Sequence, residues 1–143
     1  MLTAIDLLNR KGRDVHSISP DATVFDALAV MAEKNIGALM VVEEGQFVGV
    51  FSERDYARKC VLCGKFSRET TVREIMSTSP VTITPETEIR ACMSLMTQHQ
   101  VRHLPVLDSG KLAGVLSIGD VVKCIIEDQD DSIGFLNRYI VGR

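Results

Sequence analysis

The stretch PDATVFDALAVMAEKNIGALMVVEEGQFVGVFSERD, residues 20–55, lies over PETEIRACMSLMTQHQVRHLPVLDSGKLAGVLSIGD, residues 85–120, without a gap. The offset is 65, and nine of the 36 paired positions are identical. They are Pro20/Pro85, Met31/Met96, Leu39/Leu104, Val41/Val106, Gly45/Gly110, Gly49/Gly114, Val50/Val115, Ser52/Ser117 and Asp55/Asp120. Most other pairs keep their class, as in Val24/Ile89, Leu28/Met93, Ile36/Val101 and Phe51/Leu116. A looser echo precedes each copy: Thr3 to Leu8 resembles Thr71 to Met76, with three extra residues in the first connection. Self-similarity at a constant offset is the mark of a duplicated supersecondary unit.

Each copy reads as strand, helix, strand, strand, helix. Val24, Ala27, Leu28 and Met31 recur at helical spacing, with Thr23 placed as N-cap; Ile89, Cys92, Met93 and Met96 repeat the stripe, capped by Thr87 or Glu88. Leu39 to Val42 and Phe47 to Phe51 flank Glu43-Glu44-Gly45-Gln46, and Leu104 to Leu107 and Lys111 to Leu116 flank Asp108-Ser109-Gly110. Turns with glycine between β-rich runs predict hairpins. A helix follows each, over about 53–63 and 118–127. The fold class expected is α/β (α+β), built from two β-α-β-β-α units. A unit this small buries too little surface to offset its chain entropy, so the two are expected to pack sheet to sheet with pseudo-twofold symmetry and a cleft on either side of the axis. The boundaries expected are 1–63 for the first unit with its N-terminal helix, 64–70 for a polar linker, 71–127 for the second unit and 128–143 for a tail. Ile133 to Val141 is expected to form a helix in that tail.

The bulk numbers agree with a small, well-filled fold. Of 143 residues 45% are hydrophobic but only 5% aromatic, with no Trp, so the interior rests on Val, Ile, Leu, Met and Ala. A net charge of −3 with scattered basic residues argues against a nucleic-acid groove or an anionic membrane surface. The apolar run Ile36 to Val42 is too short to span a bilayer, and no secretory signal is visible at Met1 to Asp6. A cytoplasmic location with four reduced cysteines is the expectation.

The polar identities converge on one place. Gly49-Val50-Phe51-Ser52-Glu53-Arg54-Asp55 matches Gly114-Val115-Leu116-Ser117-Ile118-Gly119-Asp120. Each puts a hydroxyl at a strand end and a carboxylate three residues on, in the first turn of a helix. In structural terms Ser caps the helix and Asp complements its dipole. In chemical terms the carboxylate accepts from two vicinal ribose hydroxyls while Ser and the helix amides face phosphate. One arrangement serves both. Arg102-His103 is either a solvated basic pair or a source of cations for phosphate. His99 and His103 straddle a helix end and a strand start, so they form no metal face, and His16 has no partner in sequence. Cys60-Val61-Leu62-Cys63 is a C-x-x-C without the second pair a zinc ribbon needs, so a thiol-redox or metal role is the weakest alternative. With no P-loop, nucleophile elbow or HExxH present, the chain is read as a sensor and not an enzyme.

The gapless copies, the two G-h-h-S-x-x-D endings and Val101-Arg102-His103-Leu104-Pro105-Val106 resemble a tandem pair of cystathionine β-synthase (CBS) domains, a Bateman module, over about residues 3–127. The resemblance implies homodimers in which two modules form a flat disc. It also implies binding of an adenosyl ligand such as AMP, ADP, ATP, NAD or S-adenosylmethionine, with no metal required, and regulation of a partner protein. Here no fused domain is expected: the chain resembles a stand-alone small CBS-domain protein. By position, one site would combine Ser52, Arg54 and Asp55 with Thr71, Met76, Arg102 and His103. Asp55 would hold ribose, Ser52 and Arg54 phosphate, and backbone near Thr71, Met76 and Arg102 the adenine edge. The other would combine Ser117, Gly119 and Asp120 with Thr3, Leu8, Gly37 and Ala38. It has fewer cations, so the Asp55 site is expected to be the stronger. The alternative from another class is a structural dimerisation or adaptor module with empty clefts.

Overall fold

The computed structural model describes residues 1–128, so the helix expected over 133–141 lies outside the described residues. In chain order the elements are α1 (Ala4–Lys11), β1 (Ser17–Ile18), α2 (Val24–Lys34), β2 (Ala38–Glu43), β3 (Gln46–Ser52) and α3 (Glu53–Asp55), which runs into a π-helical segment, Tyr56–Val61. There follow α4 (Val72–Ile75), α5 (Ile89–His99), β4 (His103–Asp108), β5 (Lys111–Ser117) and α6, from 118 to the last described residue. The class is α+β, with small sheets carried on helices.

The chain divides into two compact units: Val15–Pro80, and a split unit of Met1–Asp14 with the chain from Val81 on. Each therefore holds one copy of the repeat together with the lead-in segment that precedes the other copy. The same three backbone hydrogen bonds dock both lead-ins. In the split unit Ala4 N donates to Thr87 O, Ile5 N to Pro85 O and Ile89 N to Leu2 O. In Val15–Pro80 the counterparts are Val72 N to Ala22 O, Arg73 N to Pro20 O and Val24 N to Thr70 O. Each lead-in is capped alike, by Thr3 with Asp6 and by Thr71 with Glu74.

In the Val15–Pro80 unit β2 pairs antiparallel with β3 and parallel with β1. Val24, Ala27 and Met31 of α2 bury their stripe against Leu39, Val41 and Phe51, and Val72 and Ile75 of α4 close the core. Thr23 caps α2 by accepting from the Asp26 amide at 3.1 Å. Two-residue turns close both hairpins: Glu44 and Gly45 take φ of 50° and 78°, Ser109 and Gly110 φ of 52° and 80°. Positive φ at both central residues matches the twist of the flanking strands. Residues 64–70 are tied to the start of α2, where Phe25 N donates to Ser67 O and Thr70 is buried with its hydroxyl on Phe66 O.

The split unit repeats this plan with one loss. Its two-stranded sheet pairs β4 with β5, and the counterpart of β1 shrinks to a single parallel bridge, Ile83 with Val106. The reason is Pro105. Its counterpart Met40 donates its amide to His16 O at 3.1 Å, and proline has no amide to give. The cap of α5 falls at Glu88, whose side chain makes no capping hydrogen bond, while the Thr87 hydroxyl accepts from the Thr84 amide instead. The core joins Ala4, Leu7 and Leu8 of α1 to Ile89, Cys92, Met96, Leu104, Val106 and Leu116.

Because Leu8 is fully buried in that core, Leu8→Ala is expected to cost about 2–5 kcal/mol of stability in urea unfolding. A loss under about 1 kcal/mol would show that α1 is not packed there.

Candidate functional site

In the Val15–Pro80 unit β3 delivers Ser52 to the start of α3, and Asp55 closes a capping box. Ser52 N and Ser52 Oγ donate to Asp55 Oδ2 at 2.9 and 3.0 Å, and the Asp55 amide donates back to Ser52 Oγ at 3.2 Å. The other carboxylate oxygen, Oδ1, accepts from Ser77 Oγ at 3.1 Å and meets Lys59 Nζ at the same distance. Asp55 is thus buried, and Ser52, Ser77 and Lys59 belong to its own unit.

Ser77 reaches Asp55 because the lead-in pairs with β3 just below it. Ser77 N donates to Val50 O and Val50 N to Ser77 O, at 2.8 and 3.0 Å. The approach requires glycine at position 49: a Cβ there would stand 2.5 Å from Ser77 O and 3.4 Å from Met76 Sδ. Met76 therefore lies against β3 close to Ser52 and Asp55, whereas Thr71 bridges Thr23 at the start of α2. Gly37 and Ala38 join Ser52 and Asp55, since Ala38 pairs with Ser52 and Gly37 O accepts from the first amide of α3. Arg54 is exposed on α3.

The split unit repeats the frame with other partners. Ser117 N donates to Asp120 Oδ2 at 2.8 Å and the Asp120 amide to Ser117 Oγ at 3.1 Å. No serine occupies the place of Ser77. Instead Lys11, at the end of α1, donates to Asp120 Oδ2 at 2.6 Å and to Val115 O at 2.8 Å. Leu8 lies against Gly114, where a Cβ would come within 2.7 Å of its side chain, and Thr3 caps the same helix. Arg102 and His103 flank this frame: His103 pairs with Ser117, and Arg102 O accepts from the Ile118 amide. Gly119 leaves open space, as a Cβ would meet only Ser117 Oγ, at 3.7 Å.

Burial alone would push the Asp120 carboxyl up, but the Lys11 ammonium and the Ser117 amide and hydroxyl outweigh it and hold it below the ordinary carboxylate value. Its side chain remains 24% exposed against 9% for Asp55. The frame can offer a carboxylate and a nearby cation to a ligand that carries hydroxyls and an anionic group.

Sequence reasoning missed Lys59, Ser77 and Lys11. Lys59 was legible as an i,i+4 partner of Asp55. Ser77 lies one residue past the end of the lead-in echo, and no local signal joins Lys11 to Asp120. Cys60 is buried with its Sγ on Lys65 O, and Cys63 is exposed with its Sγ on Arg58 O. Burial pushes the Cys92 thiol up to about 11 and raises that of Cys124. Among the described residues no group of three or more His, Cys, Asp or Glu is placed to hold a metal ion.

The family model for the CBS domain matches residues 3–61 and again 72–127. The chain belongs to the CBS-domain family. CBS-domain proteins are regulatory modules, and this chain carries two CBS domains in tandem. It is 37% identical over 149 residues to the CBS domain-containing protein CBSX3, mitochondrial, of Arabidopsis thaliana, covering 98% of this chain and 72% of that one. A solved structure of a protein with CBS domains from Burkholderia ambifaria is 46% identical, with a TM-score of 0.86 over 90% of this chain and 96% of its own. The structure of CBSX2 in complex with AMP is 26% identical, with a TM-score of 0.73 over 90% and 99% of the two chains. Among the described residues no helix is long and apolar enough to cross a membrane.

Two outcomes check this geometry. Gly49→Ala drives a Cβ into backbone and Gly114→Ala into a leucine side chain, so thermal unfolding is expected to show the larger loss for Gly49→Ala. Because the Asp120 carboxyl titrates below its unfolded value, its stabilisation is present above about pH 4 and fades as pH falls through the folded value. The stability difference between the wild type and Asp120→Asn is therefore expected to be constant near neutrality and to shrink below about pH 4. A pH-independent difference would contradict the pairing with Lys11.

Proposed function

We propose that this CBS pair binds an adenosine ligand (AMP, ADP, ATP, NAD or S-adenosylmethionine) and reports its occupancy to a partner protein, as a sensor of energy or redox state and not as an enzyme. Two vicinal ribose hydroxyls are donors that need a held carboxylate, and both units repeat that carboxylate at a helix start, beside a serine hydroxyl. That repetition carries the assignment. Asp55 and Asp120 are the ribose acceptors. Ser52, Arg54 and Ser117 face phosphate, and Arg102 and His103 are further cations for it. Thr71 and Met76 in one unit, and Thr3 and Leu8 in the other, supply backbone for the adenine edge. Gly37, Ala38 and Gly119 leave room around the ligand. The AMP complex of CBSX2 supports this ligand class. Homodimers are the proposed assembly, no metal is required, and four free cysteines suit the reducing cytoplasm.

One observation favours a second reading, a structural adaptor with empty clefts. Asp55 already accepts from Ser52, Ser77 and Lys59, so a ligand there must displace some of them. Isothermal titration of the full chain with AMP, ATP and NAD separates the two. Binding is expected, with Asp55→Asn and Asp120→Asn each removing one site. No heat with any adenosine ligand would leave the adaptor standing.

A further inference from the structure

The two copies hold equivalent carboxylates with lysines that are not equivalent. Lys59 lies on the helical segment that follows Asp55 and aligns with Cys124, whereas Lys11 comes from the lead-in and aligns with Ser79. The copies have thus reached a carboxylate–ammonium pair by separate routes. Asp55 has two serine hydroxyls and an amide besides its lysine. Among the described residues Asp120 has Ser117 and Lys11 against it, and it is the more exposed of the two. Lys11 is itself accessible, with 31% of its side chain in solvent. Next to this pair Gly119 stands where the first copy has Arg54, so the first turn of α6 brings no cation and leaves space.

From this geometry we infer that Lys11 is the phosphate-binding and specificity-determining residue of the Asp120 site, exchanging Asp120 for the ligand's phosphate when ribose hydroxyls take the carboxylate. An ammonium has three donors and a long flexible stem. Val115 O anchors one donor at 2.8 Å, and the donor now on Asp120 is the one a diol competes with. Released from the carboxylate, it meets an anion on the same ligand, so the charge of Lys11 stays compensated. A nucleoside without phosphate gains nothing from Lys11 and must displace it. The site therefore selects ribonucleoside phosphates over nucleosides. Lys11 is the last residue of α1, followed by Gly12 at φ 103°. Its exchange thus ties ligand occupancy to the end of the N-terminal helix.

The inference rests on the nucleotide reading of the Asp120 site, and the test keeps the two apart. The full chain carrying Asp55→Asn, which leaves only the Asp120 site, is titrated with AMP and with adenosine, alone and with Lys11→Met or Lys11→Arg. Lys11→Met is expected to weaken AMP by about tenfold or more while leaving adenosine unchanged or tighter, and Lys11→Arg to keep most of the AMP affinity. If Lys11→Met leaves AMP unchanged, or shifts AMP and adenosine by the same factor, Lys11 is only a counter-ion of Asp120 and the inference falls while the nucleotide reading stands. If the Asp55→Asn chain binds neither compound, the nucleotide reading of this site falls, and the role of Lys11 with it.

Discussion

Each unit depends on how closely its lead-in segment lies against the hairpin. At Gly49 the backbone of Ser77 comes so near that a methyl group would overlap it, and at Gly114 the side chain of Leu8 takes the equivalent space. This contact brings α4 or α1 over the sheet and closes the hydrophobic core with Val72 and Ile75, or with Ala4, Leu7 and Leu8. It also decides what reaches the carboxylate at the strand end. A segment displaced by an ångström or two would lose the paired amides of Val50 and Ser77 and leave buried backbone donors without partners, which is costly.

From that shared frame the two carboxylates diverge by their neighbours. Ser52 with Asp55 and Ser117 with Asp120 form the same local loop of hydrogen bonds, so the position of each carboxylate is set within its own turn. The lead-in then adds Ser77 in one unit and Lys11 in the other. Asp55, held by Ser77 as well as by Lys59, is enclosed, and Asp120, held by Lys11, is partly open to solvent. The difference lies in partners and accessibility, not in fold.

Much of the fold was legible because its signals are short-range. The Thr23 cap, the Gly45 and Gly110 turns and the stripes of α2 and α5 involve neighbours within four residues, where residue type and local geometry determine each other. Three features departed from expectation. The helix expected over 53–63 is α-helical only for Glu53–Asp55 and then π-helical, and each hairpin carries a register shift, after Val41 and after Val106. The loss of the β1 counterpart has a cause visible in the sequence, since Pro105 faces the position where Met40 gives its amide. It emerges only when the two copies are compared in three dimensions, because a proline in a hairpin strand is acceptable wherever its missing donor would have pointed to solvent.

The sequence by itself determined the duplication, the β-α-β-β-α order and the Ser-x-x-Asp frame at each strand end, all of which rest on periodicity and contacts within a single turn. Only the tertiary structure decided which segment covers which core, and therefore which side chains meet each carboxylate. Lys11 and Asp120 are separated by 109 residues, and nothing in either one's local sequence names the other. Their meeting follows from the packing of Leu7 and Leu8 beneath α1, a collective result of burying apolar surface that no short stretch of chain specifies alone.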